Sequence, residues 1–482
     1  MWDDEMNHDV QKTRGTNIPG CAGYLSNFER LWSLANVAMV ARIVGDVSRE
    51  DLKQALITAR HIHPFIGSRI IFDDLNVAWL STDDVPETVL RIAQRTSDVQ
   101  WQDEIRRENM VPFQREIGPM IRFILLYSPE VSELIAFANH SICDGMSLAI
   151  LIRDILICYS NPLIEARVLN PPTMANRVPK GSFLSRLAKK AVIGYYNSQW
   201  KNRPHFLNQA DYNEVMAYYW RKNRHSIVLL QLERDEISDL VARCRESGST
   251  VGSALTAAFL AAYQDVVGPF PKGRRCITIA DDLRRHLGEN VGDVFCFFAW
   301  GTTFPFSYDE RKSFWKNAHD LHVIIHKKVS KLDASNTELF YFDPGLLDIF
   351  NLSPFLHLIP EAFNRSERLA ALAQDTKNVA FSISRKFIST YPSAGITNLG
   401  CLDFPVIYNH LRLDLMFFVP PASPFAPLVI GGISVGSKLA FSLNYVEQVE
   451  GESSSITTNM IKIRNLALEY LGFPEKANDI AI

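Results

Sequence analysis

Six consecutive residues, His140-Ser141-Ile142-Cys143-Asp144-Gly145, carry the densest chemistry in the sequence. The imidazole ends an apolar run, Leu134-Ile135-Ala136-Phe137-Ala138, and the Asp and Gly stand just before a helical pattern. A histidine has a reference pKa of about 6.5, so near neutral pH it can take a proton from a hydroxyl or an amine. A positioned base of this kind contributes about 10²–10⁴ in rate. The glycine permits a tight turn and exposes an amide that could donate to a developing oxyanion. The pattern is short, however, and taken alone it is also that of a strand-end histidine bonded to a carbonyl.

Positioning such a group takes a strand before it and a helix after it, and both patterns are present. Glu133 to Asn139 and Met120 to Tyr127 read as strands, and Ser147 to Tyr159 has helical periodicity. Upstream, Leu34 to Val44 reads as a buried strand closed by Gly45-Asp46. Ser48-Arg49-Glu50-Asp51 resembles a capping box, with Leu52, Leu56 and Ile57 on one apolar face. Ile70-Ile71-Phe72, Asp73-Asp74 and Val77 to Leu80 read as a hairpin. Residues 160–205 hold Asn161-Pro162, Pro171-Pro172, Pro179 and a basic amphipathic stretch from Ser182 to Lys201, the best linker in the chain. Beyond it, helices are expected over Glu233–Glu246, Val251–Val266, Arg311–Lys331 and Ser455–Leu471. Strands are expected over Cys276–Ala280 and Val294–Phe304, with strand alternation between Leu428 and Tyr445. The expectation is an α/β protein of two lobes: 1–180 with the histidine motif, a 181–205 crossover, and 206–482. Residues 1–20 are polar and are expected to be mobile.

Composition narrows the function classes. Fifty Lys+Arg against 53 Asp+Glu in 482 residues leave a formal charge of −3, which gives no support to nucleic-acid binding. Apolar residues at 47% and charged ones at 21% are those of a globular protein with ample core. The seven cysteines are scattered and form no CxxC pair, so neither a disulfide framework nor a thiolate metal site is expected. The start, Met1-Trp2-Asp3-Asp4-Glu5, is acidic where a signal peptide needs a basic and then an apolar stretch, so none is expected, and no apolar run nears the roughly 18 residues of a membrane span. A cytoplasmic protein is expected.

The order of features along the chain resembles the HxxxDG acyltransferase superfamily with the chloramphenicol-acetyltransferase-like fold. Leu25 to Leu31 and Arg60-His61-Ile62-His63-Pro64-Phe65 resemble its early strand and its "RHPxL" helix end. Pro112-Phe113 with Gly118 to Arg122 resembles "PF…GPLLR", and His140 to Gly145 follows. Thr250-Val251 through Ala258 resembles "TVNxxLxAA". Asp282-Leu283-Arg284 with Val291-Gly292 resembles "xLRxxL…VGNxF", and Thr397-Asn398-Leu399-Gly400 resembles "SNLG". The resemblance covers most of the chain.

It implies two lobes with an active-site tunnel between them. His140 would be the general base, Asp144 a structural aspartate pointing away from substrate, and Gly145 the hinge behind the base. Arg284 would be the partner of Asp144, and Asn398 with Thr397 would lie near the channel. The implied reaction moves an acyl group from acyl-CoA or a carrier-protein phosphopantetheine thioester to a small-molecule alcohol or amine. It requires no metal or redox cofactor, and a monomer suffices. Asn139 stands where condensation domains place a second histidine, and Gly431 to Gly436 replaces the plant "DFGWG" signature. Together these departures favour the stand-alone alcohol-acetyltransferase or polyketide-associated branch; the alternatives are a free-standing condensation-type enzyme forming an amide, or an inactive binding module with the same fold.

Other motifs have plainer explanations. Gly432-Ile433-Ser434-Val435-Gly436 spells a GxSxG elbow, but strand alternation follows where that motif needs a helix. His319, His322 and His326 share a helix face that could bind a metal, without a second ligand cluster. Arg274-Arg275 and the 182–201 stretch are either solvated surface or a landing site for CoA phosphates or an acidic carrier. Phe295, Phe297, Phe298 and Trp300 fit a core strand or an acyl-pocket wall.

Overall fold

The computed structural model describes residues 21–73, 77–170, 183–287, 291–329, 341–449 and 453–478. The polar leader, Asp74 of the expected hairpin turn, and Pro171-Pro172 with Pro179 lie outside the described residues.

Two six-stranded sheets carry the fold. The first runs β12 (Ile407–Tyr408), β13 (Leu411–Val419), β2 (Asn36–Val44), β7 (Val131–Asn139), β6 (Ile121–Tyr127), β5 (Leu90–Gln94). Its central strands are apolar on both faces because both are covered. Met39, Ala41, Leu134 and Ala136 face Leu52, Leu56, Leu148 and Leu151 on the helices Arg49–Ile62 and Gly145–Ser160. Ala38, Val40, Ile135 and Phe137 face Trp101 and Ile105 of the helix Gln100–Asn109, together with Ile227 and Ala440 of the second sheet. The second sheet runs β10 (Ala299–Pro305), β9 (Cys276–Asp282), β11 (Ala394–Leu402), β14 (Leu428–Val435), β15 (Lys438–Gln448), β8 (Asn223–Leu232). It is covered by the helices Val251–Val267 and Ser453–Leu471. A third core is helical, with Trp200, Tyr212 and Val215 packed against Leu346, Ile349, Phe363 and Leu369. The expected hairpin is present, β3 (Arg69–Phe72) pairing antiparallel with β4 (Ala78–Ser81), and β4 also pairs with β1 (Cys21–Tyr24).

The lobes are not consecutive in sequence, which corrects the 206–482 boundary. Ile407–Val419 leaves the second half and completes the first sheet, Phe417 pairing with Val40. The chain returns at β14, where the sheets press together. A Cβ at Gly431 would stand 2.6 Å from Pro420 Cδ and 2.7 Å from the Phe418 carbonyl oxygen, so only glycine fits. The 181–205 crossover contains a helix, Phe183–Asn202.

Other expectations need correction. Residues 27–31 are a helix rather than the early strand, because Ser26 and Glu29 form a reciprocal capping box. Ile57 is 50% exposed and is not part of the helix's buried face. Ser48 caps its helix by accepting from Asp51 N at 3.3 Å. The Gly432–Gly436 segment is strand β14 running into the turn to β15, and Ser434 Oγ donates to the Lys438 carbonyl at 3.1 Å, so it is no nucleophile elbow. Among the described residues no helix is long and apolar enough to cross a membrane.

Candidate active site

His140 is the first residue after β7, and its backbone N–H donates to the Ala35 carbonyl at 2.9 Å. The chain then turns so that the His140 Nδ1 lies 2.8 Å from the Cys143 carbonyl oxygen. A carbonyl only accepts, so Nδ1 carries the proton and Nε2 keeps its lone pair. No described residue donates to Nε2. The ring is 7% exposed, held between Trp32 at 4.7 Å and Phe297 at 5.2 Å between centroids. Burial pushes the His140 pKa below the ordinary histidine value, against the upward pull of the Cys143 carbonyl and the Asp144 charge. The imidazole is thus neutral at pH 7 and able to accept a proton.

Asp144 is the N-cap of the helix Gly145–Ser160, its Oδ1 accepting from Ser147 N at 2.8 Å. Its Oδ2 accepts from Phe298 N at 2.7 Å and faces Arg284 Nη1 at 3.4 Å. The carboxylate therefore engages the helix start and the second half of the chain. Arg284 also donates to Ser147 Oγ at 2.7 Å, Val294 O at 3.0 Å and Asp282 Oδ1 at 3.1 Å, and it lies over the Phe298 ring at 4.0 Å. Burial and the nearby Asp144 raise the Asp282 pKa, with Arg284 opposing.

This cluster explains why Val294–Phe304 is strand only from Ala299. The backbone of 294–298 is committed elsewhere: Val294 O to Arg284, Cys296 N and O to Ser147, and Phe298 N to Asp144. Ser147 and these backbone groups were missed in the sequence. A capping signal was available for Ser147, three residues after an Asp that begins a helix. Trp32 had no signal. The aromatic run offered as core or acyl-pocket wall is buried, and Phe297 also touches the base.

Gly145 opens the helix, and its φ is not among the left-handed ones, so a special backbone conformation is not what this position requires. What the position demands is room, since a Cβ would stand 2.9 Å from the Phe418 ring. Cys143 is no alternative nucleophile: burial first, then the Asp144 and Cys296 charges, push its thiol pKa well up, which keeps it protonated. Asn139 anchors the turn, its amide donating to Ser33 O at 2.9 Å and its oxygen accepting from Ser141 Oγ at 2.6 Å. Asn398 and Thr397 lie on β11, apart from the cluster's hydrogen bonds. The Asn398 oxygen accepts from Gly400 N at 3.0 Å, and Thr397 pairs with Ala280 and Gly431. Their neighbour Leu399 joins the core that holds Ile142, Leu148 and Phe297.

His319 Nδ1 lies 2.9 Å from the Gly248 carbonyl, and no metal-ligand cluster occurs among the described residues. Arg274 and Arg275 direct their Nε groups to the carbonyls of Tyr391 and Phe270 at 3.1 and 2.9 Å, so they are structural donors. A cavity of about 280 Å³ opens beside the site, lined by Ser33, the residue after Trp32, and by Gln209, Tyr212 and Asp348 from beyond the crossover. His140 is not among its lining residues.

No protein-family profile matches the chain, and no curated protein matches it. Solved structures do. The trichothecene 15-O-acetyltransferase TRI3 from Fusarium sporotrichioides superimposes with a TM-score of 0.60 at 12% identity, over 93% of this chain and 95% of that one. Polyketide synthase associated protein 5 from Mycobacterium tuberculosis gives 0.53 at 13% identity, over 94% and 99%. The first condensation domain of the CDA synthetase gives 0.52 at 13% identity, over 98% and 95%. At these identities the likeness is one of fold: the chain has the two-lobed condensation/acyltransferase fold of these structures.

Proposed function

We propose that the protein is an acyltransferase with His140 as its general base. It moves an acyl group from a thioester, carried by CoA or by a carrier protein, to a hydroxyl of a lipid or secondary-metabolite acceptor in the cytoplasm. The observation that carries this is the His140 ring, its Nδ1 proton fixed on the Cys143 carbonyl and its Nε2 left without a donor from the described residues. In this mechanism Nε2 takes the acceptor proton as the oxygen attacks the thioester carbonyl. The tetrahedral intermediate expels the thiolate, which takes the proton back from the imidazolium. No acyl-enzyme forms, in keeping with the protonated, buried Cys143. Asp144 and Arg284 act through geometry by holding the turn that follows the base. Orienting two reactants together supplies up to roughly 7–11 kcal/mol of the barrier.

The test is incubation with acetyl-CoA and a panel of matched alcohols and amines, followed by product mass and thiol release. Esters are expected, with turnover lost in His140→Ala. Amide products alone would make the acceptor an amine. A stable acyl adduct on the polypeptide, or turnover by His140→Ala near the wild-type rate, would overturn the mechanism.

A further inference from the structure

The 280 Å³ cavity has a chemical character of its own. Leu25, Ile70, Phe72 and Phe206 give it an apolar wall, and two arginines line it. Arg30 is neutralised within the protein: its Nε and Nη2 donate to Asp348 Oδ1 and Oδ2 at 2.7 and 2.6 Å. Arg115 is not. Its Nε donates to the neutral Gln209 Oε1 at 2.9 Å, and its guanidinium lies over the Tyr212 ring at 5.0 Å. Among the described residues its two Nη groups find no acceptor and no carboxylate comes within ion-pair distance. Asp348, which also lines the cavity, is occupied on both oxygens by Arg30. Glu116 is exposed, and His205 is held by Asp375 at 3.1 Å. Tyr212 adds a second unused polar group, since its hydroxyl meets no described partner and burial, the largest cause, keeps it protonated. A guanidinium offers five donors in a planar fork suited to carboxylate or phosphate, and the half-buried Arg115 has its Nη groups left over for an occupant of the cavity.

We infer that this cavity is a binding site for a small amphipathic anion, its carboxylate or phosphate on Arg115 and its apolar body against Leu25, Ile70, Phe72 and Phe206. The walls come from both sides of the crossover, so an occupant would also tie the two parts of the chain together. The site does not depend on the acyl-transfer assignment, and binding can be measured without turnover.

The experiment is isothermal titration calorimetry of the full chain with octanoate, octyl phosphate and 1-octanol. At least one anion is expected to bind about tenfold to a hundredfold more tightly than the alcohol, the range of a charge-assisted hydrogen bond. The tighter of the two anions identifies the natural headgroup. Arg115→Gln should bring anion binding down to the level of 1-octanol, with Arg115→Lys intermediate. His140→Ala, inactive under the proposed function, should bind as the wild type does. Equal binding of anions and alcohol, no binding at all, or full anion binding by a folded Arg115→Gln would mean a solvent-filled cavity only. Should Arg115→Gln fail to fold, the wild-type comparison of anion with alcohol decides alone.

Discussion

Two buried histidines flank the helix Gly145–Ser160, and their partners set them apart. His63, 1% exposed, has its Nε2 2.8 Å from Asp154 Oδ2. Asp154 is in turn gripped by Arg153 at 2.7 Å, and Arg153 reaches Asp293 at 2.8 Å. His140 has a backbone carbonyl on one nitrogen and no described donor on the other. The histidine with the carboxylate is the one that superficially looks catalytic. Yet its proton is committed to Asp154, and its other nitrogen, Nδ1, is buried with no hydrogen-bond partner among the described residues. It ties the end of the helix Arg49–Ile62 to the active-site helix. A carbonyl partner fixes the tautomer without adding a charge, which leaves a neutral base whose lone pair is available.

The sharpest way to break this comparison is to truncate each histidine in turn. His140→Ala should lower kcat/KM by at least about 10²–10⁴ and leave the urea midpoint near that of the wild type. His63→Ala should do the reverse. It leaves a buried carboxylate short of one partner and costs about 3 kcal/mol of stability, with kcat of the folded fraction nearly unchanged. If a folded His63→Ala lost turnover, the division into base and tie would be wrong.

The sequence made one half of this comparison legible and hid the other. His140 and Asp144 stood out because strand, motif and helix are contiguous, and local order is what a sequence displays. Their long-range support did not stand out. Trp32 reaches the base from 108 positions away in no recognisable pattern, and the backbone of 294–298 acts through N–H and C=O groups that every residue possesses. Arg284 was found only by resemblance. The same limit hid β13: its apolar run says that it is a buried strand but not which sheet buries it. The short helix at 27–31 was misread as strand although its Ser26…Glu29 cap was in plain view, because five residues give too little periodicity to outweigh the resemblance.

A second contrast lies between the two arginines that grip aspartates on this helix. Arg284 joins Asp144 to the 294–298 segment and so sets the turn behind the base. Arg153 joins Asp154 to Asp293, nearly three turns further along the helix. Arg284→Ala should therefore cost about 10²-fold in kcat, the price of slight misplacement at a reacting centre. Arg153→Ala should cost about 1–3 kcal/mol of stability and much less in rate. Steady-state kinetics with thermal unfolding of both variants checks this. Equal kinetic losses would mean that the whole helix, rather than its first turn, positions the base.

The smallest expected effect separates the base from an ordinary histidine by pH alone. A side chain at the reference value of about 6.5 is half protonated at that pH, so kcat/KM would already be halved there. Burial lowers the His140 pKa, so at pH 6.5 most of the free enzyme keeps a neutral imidazole and the loss is less than twofold. The acid limb of the kcat/KM profile should accordingly lie below 6.5. Stability moves with the same sign. As pH falls from 6.5, the unfolded chain takes up a proton that folded His140 refuses, so stability declines through that window until the lowered pKa is reached. An acid limb at or above 6.5 would mean that the free enzyme's ring is solvated or carboxylate-paired like an ordinary histidine. The contrast between a carbonyl-held base and a carboxylate-held tie would then have no electrostatic content.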